Sequence, residues 1–287
     1  MTINPYQHFE KPINEVVKNR YSVRTYEPEN LSDEMKNSLK TYAEAIKGPF
    51  SPRVRLEIIN DLENTDGKLG TYGVIKGAKD YIAAIVEDGE KDLEQLGYIL
   101  EQFILYATSK NIGTCWLGGT FKKSDFSKLL TVEENEKFLI VTPIGHPRDK
   151  KSMLESFMRF AAGSNHRKEW MELFYEEDFN NPLQENNSQY SEALEAVRLA
   201  PSASNKQPWR VLKKDDGYHF YLKADKGYGD KLGFNIQRVD IGIAMCHFEM
   251  VLQEFGKKGS WIIQNPGVDT SALNDLSYTV SWKETVE

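Results

Sequence analysis

A chain of 287 residues, 40% hydrophobic and 28% charged, has the composition of a soluble protein and length for one large domain or two modest ones. Forty-three acidic against 36 basic residues give a formal net charge of -7, so the overall field opposes generic nucleic-acid binding and any phosphate has to be held locally. Cys115 and Cys246, the only cysteines, make neither a disulfide framework nor a thiolate metal site, and no apolar run approaches the roughly 20 residues that span a bilayer.

Taken in chain order, a helical stretch over Pro12–Lys18 leads into NRYSVRTY (Asn19–Tyr26), whose residues suit extended backbone. An amphipathic helix is predicted over Lys36–Lys47, then a loop and a strand over Arg53–Asn60. GTYGVIKGA (Gly70–Ala78) reads either as a turn into the strand AKDYIAAIVE or, through Gly73, as backbone that approaches a ligand. Leu96–Trp116 carries apolar residues at helical spacing, a glycine near the helix end, then an apolar stretch with a Trp. Ile241–Trp261 repeats that unit at a constant offset of 145, pairing Gly97 with Gly242, Phe103 with Phe248 and Trp116 with Trp261. A second helix over Tyr190–Leu199 and a strand over Trp209–Lys214 likewise echo the earlier helix, loop and strand. Glu177–Gln189, rich in Asn, Glu and Gln, is predicted to be a solvated connector, with the domain boundary near residues 164–188. The irregular alternation of elements places the fold in the α+β class.

Three segments carry candidate chemistry. If Asn19–Tyr26 is extended, Arg20, Ser22 and Arg24 share one face, and two guanidinium forks with a hydroxyl suit a phosphate; taken alone, two arginines in exposed ion pairs fit as well. In APSASNKQPW (Ala200–Trp209), two prolines restrict the loop, small residues admit a flat ligand and the Asn205 amide offers a donor and an acceptor; a proline-held turn after a helix is the simpler account. In NIGTCWLGGTF (Asn111–Phe121), Gly113, Gly118 and Gly119 free backbone N–H groups to reach a ligand, while Cys115, with no His or cationic activator beside it, is assigned to the core. The five histidines form no metal-ligand spacing, and neither a GxSxG elbow nor a GxxxxGK[ST] loop is present. The N-terminus lacks a signal pattern, and a cytoplasmic protein is expected.

The order NRYSVRTY, GTCWLGG, PIGHP and then APSASNKQPWRV resembles the nitroreductase family over essentially the full length, and most closely a branch in which one chain mimics the whole homodimer. The resemblance implies two tandem degenerate copies of a helix-flanked mixed sheet, one over residues 1–164 and one over 165–287, in a monomeric pseudo-dimer. It implies an FMN site in which Arg20, Ser22 and Arg24 hold the phosphate, Leu117, Gly118 and Gly119 cover one side of the ring, and Pro201, Ser202, Ser204 and Asn205 flank the other. Arg148, Lys150 and Lys151 are the candidates for the basic residue that closes the phosphate pocket. It further implies electron transfer from transiently bound NAD(P)H through FMN to a nitroaromatic, quinone or similar small molecule, with no catalytic acid or base, no metal, no nucleic acid and no membrane; the alternative is a non-catalytic FMN carrier or sensor. In the first half GPFSPRV (Gly48–Val54) takes the place of the Pro-Ser-Asn loop, and in the second NHRKEWMELFY (Asn165–Tyr175) takes that of the Arg-Ser-Arg segment. One composite site per chain is therefore expected.

Overall fold

The computed structural model describes residues 9–60, 69–148, 166–215 and 217–285. Strands β1 (Val54–Asn60), β2 (Asp80–Glu87), β3 (Gly113–Thr114) and β4 (Glu136–Gly145) form one antiparallel sheet in the order β1-β2-β4-β3. A second sheet runs β6-β5-β7-β8-β10-β9, built from β5 (Phe174–Glu176), β6 (Asp178–Pro182), β7 (Trp209–Lys214), β8 (Gly217–Lys223), β9 (Gly259–Ile262) and β10 (Leu276–Glu284). Its β7-β8-β10-β9 portion repeats the strand order of the first sheet. The irregularities repeat too. Ala84 faces Ile140 and Ile85 faces Phe138, so that Leu139 bulges. Phe220 faces Val280 and Tyr221 faces Tyr278, so that Thr279 bulges.

The helices are α1 (Ile13–Asn19), α2 (Asp33–Ala45), α3 (Asp92–Ser109), α4 (Lys123–Ser127), α5 (Trp170–Leu173), α6 (Gln189–Leu199) and α7 (Ile236–Glu254). Local chemistry sets several starts: the Ser32 hydroxyl accepts from Met35 N ahead of α2, Ser188 from Ser191 N ahead of α6, and the Asn235 side chain from Gln237 N ahead of α7. Helices α3 and α7 are buried along nearly their whole lengths. A helix without a solvent face belongs in the middle of a domain, and these two pack against each other between the sheets.

They cross at Gly97 and Gly242. A Cβ on Gly97 would run into the Val239 carbonyl oxygen, and one on Gly242 into that of Glu94. The main core gathers Ile82, Leu100 and Phe103 from one side of this crossing with Phe220, Phe248 and Trp282 from the other. Strand β2 is buried on both faces, and its alternate residues Tyr81, Ala83 and Ile85 pack in a second cluster with Phe126, Phe138 and Cys115. Among the described residues no helix is long and apolar enough to cross a membrane.

Two expectations are corrected. The predicted connector Glu177–Gln189 contains a strand, β6, which pairs antiparallel with β5. Its Asn and Pro content is tolerated because β6 lies at the sheet edge. Residues 166–176 also do not stand where Asn19–Tyr26 stands. The latter runs beside β3, with Ser22 bridged to Thr114, whereas β5 pairs in parallel with β7 on the opposite flank of its sheet. The segment is therefore an added edge rather than a decayed copy of the arginine strand.

Candidate active site

Asn19–Tyr26 leaves α1 at Arg20 and is braced along its length. Val23 N donates to Thr114 O at 2.8 Å, Lys76 N to Arg24 O at 2.9 Å and Tyr26 N to Lys76 O at 2.8 Å. Extended backbone alternates its side chains: Val23 and Thr25 are buried on one face, while Arg20, Ser22 and Arg24, all partly covered, fall on the other. The Arg20 side chain is 7% exposed, and its Nε lies 3.8 Å from Glu101 Oε1, too far for a hydrogen bond. Arg20 Nε and both Nε and Nη1 of Arg24 are buried with no hydrogen-bond partner among the described residues. Burial holds the Arg20 guanidinium below its ordinary pKa, against the opposing pull of Glu101.

Behind Arg20 lies a buried polar hub. Glu101 accepts from Trp116 Nε1 at 2.8 Å and meets His247 Nε2 at 2.9 Å, while His247 Nδ1 is 2.9 Å from Ala196 O. A carbonyl only accepts, so Nδ1 carries the hydrogen of that contact and Nε2 faces Glu101. Glu101 thus ties the arginine strand, the entry to the glycine-rich loop and helix α7 together. Cys115 is buried in the second cluster beside Val23 and Leu117, the place of a small apolar residue.

The loop after α6 turns through positive φ at Ser204, Asn205 and Gln207. Gln207 N donates to Ser202 Oγ at 2.8 Å and Ala203 N to Asp240 Oδ1 at 2.9 Å. The Asn205 amide is engaged within the protein: Oδ1 accepts from Arg167 Nη1 at 2.6 Å, and Nδ2 donates to His166 O at 2.7 Å. Arg167 also donates to Leu199 O at 3.1 Å. Its pKa is pushed down to about 10, by burial first and then by the nearby charges of Arg20 and Arg198. Arg167 is therefore bound to the Asn205 loop and lies within electrostatic reach of Arg20.

Leu117 is buried and pairs with Val141 through both backbone bonds. A Cβ at Gly118 would lie 2.6 Å from Ile236 Cδ1, and one at Gly119 2.7 Å from Leu232 Cδ2, so the glycines let these two side-chain tips lie directly on the loop backbone. Leu232 belongs to a strap, residues 224–235, between β8 and α7; the matching connection from β2 to α3 is residues 88–91. The strap also places Tyr228 OH 2.8 Å from Ser204 Oγ, and its Asp225 pairs with Lys206 at 2.8 Å. The strap touches both loops.

The expected residues thus fall into two groups, with Arg167 bound to the second and the strap reaching both the glycine-rich and the Asn205 loops. Of the candidates for closing the phosphate pocket, Arg148 is exposed and paired with Glu27 at 3.2 Å, while Lys150 and Lys151 lie outside the described residues. Arg167, Glu101, His247 and Asp240 escaped the sequence reading. Arg167 lies in the segment expected to replace the arginine strand, and Glu101 and His247 sit in helices whose legible signal is apolar spacing. A phosphate fits the geometry, since it offers the acceptors that the buried Arg20 and Arg24 N–H groups lack.

A nitroreductase described as putative, from Thermotoga maritima, shares this fold at a TM-score of 0.59 and 19% identity, with 95% of this chain and 94% of that one covered. A nitroreductase from Desulfovibrio desulfuricans, solved in complex with FMN, covers 51% of this chain and 95% of its own at 22% identity and a TM-score of 0.38. An FMN-dependent nitroreductase from Clostridium difficile covers 48% and 88% at 18% identity and a TM-score of 0.38. No curated protein matches the chain. A family model described as "Putative TM nitroreductase" matches residues 12–252, and the chain belongs to that family.

Proposed function

We propose that the chain is an FMN-dependent oxidoreductase that passes electrons from NADH or NADPH to a small acceptor such as a nitroaromatic or quinone, in ping-pong fashion. The observation that carries this reading, beyond family membership, is the set of buried guanidinium N–H groups on Arg20 and Arg24 that meet no acceptor among the described residues. Leaving such donors unmet is costly unless a ligand meets them. Bound FMN would supply hydride acceptance and onward electron transfer. Arg20, Ser22 and Arg24 would hold its phosphate, with Arg167 as a further cation at that end. Leu117, Gly118 and Gly119 would face one side of the ring, and the Pro201–Asn205 loop the other. The sequence has no GxGxxG fingerprint, so the nicotinamide donor is assigned to a transient visit.

Both halves of this site come from one chain, in a monomeric pseudo-dimer. The repeated strand order, the repeated bulge and the reciprocal contact of Gly97 and Gly242 support a duplicated unit, because a two-fold interface brings each patch against its own copy. One FMN per chain follows. At the constant offset, Ile263 and Gln264 stand where Gly118 and Gly119 stand in the first half, and Phe50 in the first-half loop is held by Gln95. The test is to quantify flavin released from the purified protein and to mix the loaded protein anaerobically with NADH or NADPH. Loss of the visible flavin band and its return with a quinone are expected. Reduction by dithionite but by neither nicotinamide would instead indicate a carrier.

A further inference from the structure

Gln95 near the start of α3 and Asp240 near the start of α7 occupy matching places, and each holds the loop ahead of β1 or β7. Gln95 uses both ends of its amide: Oε1 accepts from Phe50 N at 2.9 Å and Nε2 donates to Phe50 O at 2.8 Å. Asp240 accepts from Ala203 N at 2.9 Å through Oδ1, while Oδ2 is buried with no partner among the described residues, in a residue only 2% exposed. A neutral carboxyl accepts from Ala203 N as the Gln95 amide accepts from Phe50 N and leaves no charge behind, whereas a carboxylate here would be a buried charge met by one neutral donor.

The charged groups around it offer no compensation. Arg238, on the same helix, is bound to Asp92 and Glu94 of α3, with Glu94 Oε2 at 2.6 Å. Lys206 on the loop is paired with Asp225, and Arg167 above the loop donates to Asn205 and Leu199 O. Burial accordingly pushes the Asp240 carboxyl up to about 8, opposed only by the Ala203 N–H.

We propose that Asp240 is a positioning residue that holds the Pro201–Asn205 loop as a neutral acid, and that losing its proton loosens the loop's grip on flavin. The proposal rests on the reading of that loop as part of the FMN site. Once ionised, the side chain must reach water, and Ala203 N loses its acceptor or moves with it. The folded-state value lies above the ordinary 3.8, so the contribution of Asp240 to stability is complete below about 4 and is lost as pH rises through about 8. Asparagine has the same shape and cannot ionise.

The experiment compares wild type, Asp240→Asn and Asp240→Ala by thermal unfolding of the flavin-free protein from pH 5 to pH 9, and by FMN quenching titrations from pH 7 to pH 9. The advantage of Asn over wild type in unfolding temperature should widen as pH rises. Wild-type FMN affinity should fall about tenfold towards pH 9, as the protonated fraction drops to roughly a tenth. Asp240→Asn should bind FMN evenly across the range, and Asp240→Ala should bind weakly throughout. A gap between Asn and wild type that is independent of pH, or an Asn variant as weak as Ala at pH 7, would overturn the proposal. If no FMN binds wild type at any pH while the unfolding gap still widens, the cofactor reading falls and the neutral-acid tether stands.

Discussion

Gly97 and Gly242 each lie against the backbone carbonyl of the residue three positions before the other, so one close approach of α3 and α7 is enforced twice. A methyl group at either position collides with backbone, which cannot rotate away. Gly97→Ala and Gly242→Ala should each destabilise by about 1–3 kcal/mol through overpacking, measurable as a lower urea midpoint. Once the helices have been separated, the second methyl has space. The double variant should therefore cost clearly less than the two singles added.

Arg24 separates retention of cofactor from stability of the empty protein. Its buried N–H groups lack partners among the described residues, so Arg24→Met should leave flavin-free stability unchanged or higher. If those groups hold the phosphate, the same change removes a charged hydrogen bond of about 1.5–3 kcal/mol, weakening FMN roughly ten- to hundred-fold. Turnover at saturating FMN should barely move, because the phosphate contact is equal before and after hydride transfer. Equilibrium dialysis and thermal unfolding of the same variant provide the two readings.

Glu101 should behave as a hub. Glu101→Ala leaves Trp116, His247 and Arg20 without their shared buried partner and is expected to cost about 3–5 kcal/mol in urea unfolding. Glu101→Gln keeps an acceptor for Trp116 and should cost less. It should still lower FMN affinity, since the carboxylate that steadies Arg20 is gone.

Acid stability should show the Arg55–Glu136 pair. Glu136 is held down to about 2 by the Arg55 guanidinium, against an ordinary value of 4.5. A depressed carboxylate contributes stability that is present above 4.5 and is lost as pH falls through about 2. Arg55→Leu should flatten that part of the stability profile and leave the curve above pH 6 nearly parallel to wild type, as read by urea midpoints across pH.

Local signals made much of the fold legible. The strand Trp209–Lys214 matches its sequence bounds residue for residue, α6 starts one residue before its predicted start, and a helix leads into a strand in both Leu96–Trp116 and Ile241–Trp261. Strand β6 was missed because an edge strand tolerates Asn and Pro that would be excluded from a central one. Within the site, the alternating Arg20, Ser22 and Arg24 could be placed because they share one extended run. Arg167 and Glu101 could not, since their roles arise only when β5 reaches the far sheet and α3 meets α7. Asp240 lay one residue outside the aligned stretch, paired with Gln95 at the same offset.

The unequal connections ahead of α3 and α7 have a consequence for how the site can vary. In an assembly of identical subunits, every inserted residue is written into all sites together, and a segment that favours one acceptor at one site must be accepted at the other. Here residues 224–235 carry Tyr228 and Leu232 onto the loops of one site, while residues 88–91 stay short. Mutation can lengthen, stiffen or re-side-chain that strap without a second copy of the change. On the proposed reading of one chain as a pseudo-dimer with a single flavin site, drift in acceptor preference should therefore be recorded first in residues 224–235 of related chains.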